Sequence, residues 1–371
     1  MAERFSAGYL LSDADYGTAK QRALNITVEQ TVEIPRDIVP AGYVEDEILG
    51  RLEGLEAADG GYVAEISYSF DDAGGDFLQL LNVLFGNSSI LSKTRLVWMK
   101  PCAGLEAITP GPRFGRAGLY DLAGVSGGPL LMSAIKPVGL STAELARLAG
   151  DFARGGMDFV KDDHGLVDQK TSPFSERLSA CVEAIGEANA KTGFNTRFIP
   201  NITAQRGQTI ERAYEAKEKG AGGVMLAPAL AGYDVALQLA ADPDFGLPVI
   251  SHPAFSGANV VGGDCGFSHR FYYGTLQRLM GVDAAVYPNF GGRFGFSREE
   301  CLSIVDGCAA EFSTLKPILP APGGGMTFER VPEMKTAYGR DVIYLIGGAL
   351  IRERETLVDA CRRLGETVRA G

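Results

Sequence analysis

Asp158-Phe159-Val160-Lys161-Asp162-Asp163-His164 sets four ionisable residues in a row directly behind the apolar pair Phe159-Val160. Crowding charges at the end of an apolar strand is costly unless a site uses them. In an extended chain, alternation sends Lys161 and Asp163 to one side. Two carboxylates, Asp162 and Asp163, suit a hard cation such as Mg²⁺. A bare lysine amine is no ligand, but a carbamylated Lys161 would offer anionic oxygen. The bland alternative is a solvated charge run.

Working outward, this run is the second of eight short apolar segments. They are Leu130–Ile135, Asp158–Lys161, Thr196–Ile199, Gly223–Leu226, Pro248–Ser251, Ala284–Tyr287, Pro317–Leu319 and Val342–Ile346. Each is followed by a helical stretch. Two of those stretches open with capping boxes, Ser141-Thr142-Ala143-Glu144 and Ser297-Arg298-Glu299-Glu300. The first then places Leu145, Leu148 and Phe152 on one face. Eight βα units in this length predict a (β/α)₈ TIM barrel. A doubly wound open sheet is the rival, but the count closes at eight and no GxGxxG follows the first strand.

Residues 1–125 read differently. Asn25–Pro35 and Tyr62–Phe70 look like strands, Phe77–Gly86 like a helix, and Arg95–Met99 like a further strand. Strands and helices that do not alternate strictly predict a small α+β domain. A Gly/Pro-rich stretch from Pro110 to Pro129 marks the boundary, and the barrel domain is expected over residues 126–371. The fold class is therefore α/β with a small N-terminal domain.

The 371 residues carry a net charge of −11 and 46% hydrophobic residues. An acidic chain without a basic run argues against nucleic acid or an anionic membrane as partner. No stretch approaches the roughly 20 apolar residues of a membrane span. The N-terminus lacks a signal pattern, and six cysteines without CxxC spacing read as reduced thiols, so a cytoplasmic protein is expected.

Barrel function sits at the C-terminal ends of the strands. Strand 1 ends Ile135-Lys136-Pro137, which puts a lysine at the mouth. Strand 3 ends Asn201-Ile202-Thr203, a polar group suited to substrate hydroxyls. Strand 5 ends at His252; His164 and His252 are two of only three histidines. After strand 6, Asn289 to Gly295 forms a glycine-rich loop carrying Arg293, able to fold over a ligand. Strands 7 and 8 lead into Gly323-Gly324-Gly325 and Gly347-Gly348. Those two loops are the usual phosphate site of barrels, which points to a phosphorylated substrate.

Gly155-Gly156-Met157-Asp158-Phe159-Val160-Lys161-Asp162-Asp163 resembles the metal and carbamate motif of ribulose-bisphosphate carboxylase large chains. Ile135-Lys136-Pro137 followed by Gly139-Leu140-Ser141 resembles it too, as do Val63-Ala64-Glu65, Gly86-Asn87, His252 and the two glycine groups. The string around Lys161 is specific; the glycine pairs are not. The departures matter as much. No second lysine follows Lys136-Pro137. His164 stands where the third metal ligand is a glutamate, and Pro253 where an arginine follows the strand 5 histidine. The strand 6 histidine is missing from Val286-Tyr287-Pro288, and Arg293 replaces the lysine of the mobile loop. The chain thus resembles the RuBisCO-like proteins (form IV), which keep enolisation chemistry without CO₂ fixation.

The resemblance implies a ferredoxin-like small domain that completes the neighbouring subunit's site through Glu65 and Asn87, hence a homodimer or larger assembly. It implies Mg²⁺ held by carbamylated Lys161, Asp163 and His164. It implies Lys136 as general base or acid, His252 as second acid/base or hydroxyl anchor, and a phosphate on Gly324, Gly325, Gly347 and Gly348. The expected reaction is proton abstraction beside a carbonyl of a phosphorylated sugar, with 5-methylthioribulose 1-phosphate isomerisation in methionine salvage as the leading expectation. A 2,3-diketo-5-methylthiopentyl-1-phosphate enolase and a decarboxylase of sugar-acid phosphates are alternatives within the family. A non-catalytic binding or regulatory homologue is the rival from another class.

Overall fold

Six elements at the N-terminus follow the order strand, helix, strand, strand, helix, strand. They are β1 (Arg4–Leu11), the helix Tyr16–Glu29, β2 (Arg51–Ala58), β3 (Gly61–Ser69), the helix Phe77–Phe85 and β4 (Thr94–Lys100). A computed structural model describes residues 3–205, 207–312, 314–352 and 356–369. In it these four strands lie in the order β4-β1-β3-β2, with neighbours antiparallel. This is the ferredoxin-like arrangement.

Two readings of this domain need correction. Asn25–Pro35 is not a strand: Asn25–Glu29 ends the helix Tyr16–Glu29. Asp15 starts that helix by accepting the Thr18 N–H at 2.9 Å, as an N-cap does. Ala19, Ala23 and Ile26 then bury at helical spacing. The alternation of Ile26 and Val28 was a local coincidence within a longer helical period. β1 and β2 went unread, although β1 is central. Its buried residues alternate as Phe5, Ala7, Tyr9 and Leu11, with small Ser6 and Gly8 between them. Gly8 is needed for packing: a Cβ there would lie 2.1 Å from the Trp98 indole, beside the register shift between β1 and β4.

The barrel strands are β5 (Leu130–Ile135), β6 (Phe159–Asp162), β7 (Arg197–Ile199), β8 (Val224–Leu226), β9 (Val249–Ser251), β11 (Ala284–Pro288), β12 (Leu319–Gly323) and β13 (Ile343–Leu345). They pair in parallel in sequential order, and β13 returns to β5. β7 and β8 close the ring through a parallel bridge between Asn201 and Met225. Leu130, Met132, Phe159, Ile199, Met225, Ile250, Val286, Leu319 and Ile343 fill the interior. The helix Gly115–Ala123, inside the stretch read as a boundary, packs Leu119, Tyr120 and Ala123 against this layer.

Strand 7 was placed two to four residues early. Pro320 and Pro322 lie inside this strand, although proline cannot donate to a ladder. They alternate with Leu319 and Ala321, both of which face the barrel interior. The remaining strand, β10 (Cys265–Phe267), belongs by sequence to the barrel but pairs in parallel with β4 of the small sheet. Arg95 of β4 also donates to the Gly262 carbonyl. The loop after β9 is therefore fastened to the small domain. Among the described residues no helix is long and apolar enough to cross a membrane.

The strand that carries the charge run is held from behind. Asp162 and Arg177 are both buried, and Arg177 Nε and Nη2 donate to the two Asp162 oxygens at 3.0 and 3.2 Å. Asp162 Oδ2 also accepts the Asn201 N–H at 3.0 Å. Burial pushes the Asp162 carboxyl up from its ordinary value, against the pull of Arg177 and that N–H. Arg177 further donates to the carbonyls of Ser172 at 2.6 Å and Val167 at 2.8 Å.

Removing one partner of such a pair strands a buried charge. Arg177→Met is therefore expected to lower unfolding stability by about 3–5 kcal/mol, read from the urea midpoint; a loss within error would refute the role. Gly8→Ala should cost about 1–3 kcal/mol through overpacking. Trp98 is the single tryptophan, so its emission should shift as the indole is displaced, and an unchanged spectrum would contradict the close approach.

Candidate active site

Alternation along two neighbouring strands builds the floor of the site. Leu130, Met132, Ala134 and then Lys136 point inward from β5, and Phe159, Lys161 and then Asp163 from β6. The four outer members, Ala134, Lys136, Lys161 and Asp163, line a cavity of about 740 Å³ at the C-terminal mouth of the barrel. His164, His252, Arg293, Gly324, Gly347 and Gly348 line the same cavity. The barrel thus gathers residues that lie up to 214 positions apart, from Ala134 to Gly348.

Lys161 is 2% exposed. Its Nζ donates to the Asp162 carbonyl at 3.0 Å. Burial pushes its amine down to about 8, helped by the Lys136 charge and opposed by Asp163. Asp163 is the hub. Its Oδ1 lies 3.5 Å from Lys136 Nζ, and its Oδ2 lies 3.6 Å from His164 Nδ1. Burial opposes its ionisation, but the His164 hydrogen bond and the two lysine charges hold it well below the usual carboxylate range.

The His164 and His252 rings stack, with centroids 4.5 Å apart and planes 13° from parallel. Burial, then the charges of Lys161 and His164, push His252 well below the ordinary imidazole value. His252 Nδ1 accepts the Ala254 N–H at 3.1 Å. That bond assigns the neutral tautomer with its proton on Nε2.

Several expected residues stand elsewhere. Asp162 faces away from the mouth and is paired with Arg177, so Asp163 is the one carboxylate of the run that reaches the cavity. Asn201 does not meet substrate: it is 2% exposed, and its Nδ2 donates to the carbonyls of His164 at 3.0 Å and Leu166 at 3.1 Å. Thr203 Oγ1 accepts the Ala227 N–H. Gly325 packs on the loop after β11, where a Cβ would lie 2.5 Å from Gly292 Cα. Gly347 leaves room for Lys136, whose Cε would lie 3.3 Å from a Cβ there. Glu65 pairs with Lys100 at 2.8 Å. Asn87 donates to Glu29 at 2.9 Å and lines a separate opening on the small domain with Arg22 and Arg51. Neither residue lines the barrel cavity of its own chain.

Sequence reasoning missed the far wall. His269, buried, and Glu300 line the cavity there, with His269 Nδ1 3.5 Å from Glu300 Oε1. Glu300 also accepts the Ser297 N–H at 2.8 Å, so its capping role concealed a second one. Burial pushes His269 below its ordinary value, against Glu300. The Tyr273 and Phe296 rings lie 6.4 and 4.4 Å from the His269 ring, and Phe255 and Phe294 line the same cavity. Arg293, the lid cation, lies over the Phe294 ring at 5.0 Å. No periodicity in the sequence marks this group, because it assembles from two loops (Phe255; Phe294 and Phe296) and two helical segments (His269 and Tyr273; Glu300).

Residues 117–293 match the family model of the ribulose bisphosphate carboxylase large chain, catalytic domain. A 5-methylthioribulose-1-phosphate isomerase of Rhodospirillum rubrum is 36% identical over 97% of this chain and 94% of its own length. A 2,3-diketo-5-methylthiopentyl-1-phosphate enolase of Bacillus pumilus is 31% identical over 90% of this chain and 83% of its own. The crystal structure of a RuBisCO-like protein from Rhodopseudomonas palustris superposes with a TM-score of 0.86 at 36% identity, over 99% of this chain and 98% of the other. With Lys161 and Asp163 in the mouth and relatives matching end to end, the chain belongs to the RuBisCO-like proteins of the ribulose-bisphosphate carboxylase large-chain family.

Proposed function

We propose that this protein is a 5-methylthioribulose 1-phosphate isomerase of methionine salvage, acting by proton transfer next to the substrate carbonyl. The observation that carries this reading is the lining of the cavity. Glycine lines it from Gly323 and Gly324 after β12 and from Gly347 and Gly348 after β13, and aromatic rings line it from Phe255, Tyr273, Phe294 and Phe296. Glycines let backbone N–H groups approach one phosphate. The aromatic rings suit an apolar end, so a monophosphate with a methylthio end matches this lining. The Rhodospirillum rubrum relative carries the same activity in its name.

Lys136 takes the proton from the carbon beside the carbonyl. An amine acts as base when neutral and as acid when charged, so Lys136 can return that proton to the adjacent carbon. His252 presents Nε2–H toward the oxygen where negative charge builds, and its neutrality keeps it a donor rather than a competing charge. Arg293 lies at the cavity rim and closes over the ligand. The mouth residues also fit a divalent cation. Asp163 is an ionised oxygen donor, His164 offers a nitrogen, and the buried Lys161 amine, pushed down to about 8, has a neutral fraction able to add CO₂. That addition forms an N–C bond, releases one proton and turns Lys161 into an anionic ligand. Mg²⁺ held by carbamylated Lys161, Asp163 and His164 would polarise the substrate carbonyl. Glu65 and Asn87 serve the neighbouring subunit's cavity, so the working unit is a homodimer or larger. The six free cysteines agree with a cytoplasmic setting.

Incubation with 5-methylthioribulose 1-phosphate in D₂O should give an isomeric product carrying solvent deuterium; no turnover together with no exchange rejects the proposal. Lys136→Ala should lower kcat at least about 10²-fold, whereas a silent binding homologue would show no activity to lose. Supplied with ¹³C-bicarbonate and Mg²⁺, the protein should show a carbamate carbon resonance that Lys161→Ala lacks. A signal persisting in that variant would remove Lys161 from the cation site.

A further inference from the structure

The loop after β9 carries a backbone conformation that its sequence disfavours. Phe255 has φ +68°, a region where a bulky aromatic residue is a genuine outlier. The Ser256 N–H closes a four-residue turn onto the Pro253 carbonyl at 3.2 Å. Phe255 sits at the third position of that turn, where positive φ selects glycine or asparagine. The ring gains nothing from the core, because Phe255 is 77% exposed.

Both neighbours are fastened. The Ala254 N–H is held by His252 Nδ1 at 3.1 Å. Ser256 is buried, donates its hydroxyl to the Pro253 carbonyl at 2.6 Å and shares a hydrogen bond with Tyr273 at 2.7 Å. Strain persists where surroundings over-determine it, and it clusters at functional sites. A glycine would satisfy this turn without strain. The aromatic side chain must therefore answer to something other than folding, and it lines the cavity.

We propose that Phe255 is a specificity-determining residue whose ring, held over the mouth by the strained turn, covers the apolar substituent at the end of the substrate remote from the phosphate. Phe294, 50% exposed, lines the same cavity. The ring selects a thioether or alkyl end over a hydroxyl, because only the former gains from leaving water. The same turn sets the His252 tautomer through Ala254, so selection and the proton donor share one loop. This inference rests on the monophosphate reading of the site given above.

Phe255→Gly isolates the ring, since glycine retains the turn and with it the His252 contact. The probes are unreactive: 5-methylthioribitol 1-phosphate and ribitol 1-phosphate, measured by calorimetry on the full-length protein with Mg²⁺ and bicarbonate. The parent protein should prefer the methylthio compound. Phe255→Gly should weaken that compound about tenfold more than the hydroxyl compound, the worth of one to two buried CH₂ groups. The variant should melt no lower than the parent. Equal weakening of both compounds, no weakening, or a parent protein without preference overturns the proposal. A change of oligomeric state with unchanged selectivity assigns the ring to a subunit contact and also overturns it. If the parent shows neither turnover nor exchange in D₂O yet its preference disappears in Phe255→Gly, the isomerase reading fails and this one stands.

Discussion

The buried pair of Asp162 and Arg177 is the constraint on which the site depends. Strand alternation gives β6 one residue facing the barrel axis for each residue facing the helix layer. The charge run Lys161-Asp162-Asp163 can end a buried strand only if its middle member is neutralised behind the sheet. Arg177, one helix later, does that with two hydrogen bonds and adds two more to the following loop. Asn201, from the next strand, ties the carbonyls of His164 and Leu166 to the same centre. Asp163 and His164 therefore leave the strand on a segment fastened at several points. A site needs such rigidity, since misplacement by an ångström is costly to chemistry.

Electrostatics at the mouth follow from that placement. Four cationic or potentially cationic groups, Lys136, Lys161, His164 and His252, surround one ionised carboxylate, Asp163. The shortage of negative charge is met by discharge of the most buried groups. Lys161 moves toward the neutral amine and His252 is held neutral, both because burial penalises their charged forms first. Lys136, more exposed, lies 3.5 Å from Asp163 Oδ1. The same burial that makes Lys161 a poor cation makes it a candidate for CO₂ addition, which would restore negative charge where the cluster lacks it.

Most of the barrel was legible because its signals are local and repeated. Short apolar runs, capping boxes at Ser141 and Ser297, and polar residues at strand ends recur with a regular period. The errors share one cause, a local pattern overruled by packing at a distance. Ile26 and Val28 alternate like a strand, yet the Asp15 cap and the buried stripe of Ala19, Ala23 and Ile26 make a helix. Pro320 and Pro322 look like loop residues but alternate with Leu319 and Ala321 inside the barrel wall. Asn201 has the chemistry of a substrate ligand, yet folding turns its amide toward backbone carbonyls. His269 and Glu300 were missed because they meet between two helical segments about thirty residues apart.

By itself the sequence determined the number of barrel units, the strand that carries the charge run, and the inward facing of Lys161 and Asp163, because these follow from a two-residue period and from residues adjacent in the chain. Only the tertiary structure decided which carboxylate is locked behind the sheet and which reaches the cavity, that the loop after β9 joins the small domain's sheet, and that glycines and aromatic rings from separate loops line one cavity. Those outcomes depend on contacts between residues tens to hundreds of positions apart, and no local period encodes which distant side chain will neutralise a buried charge.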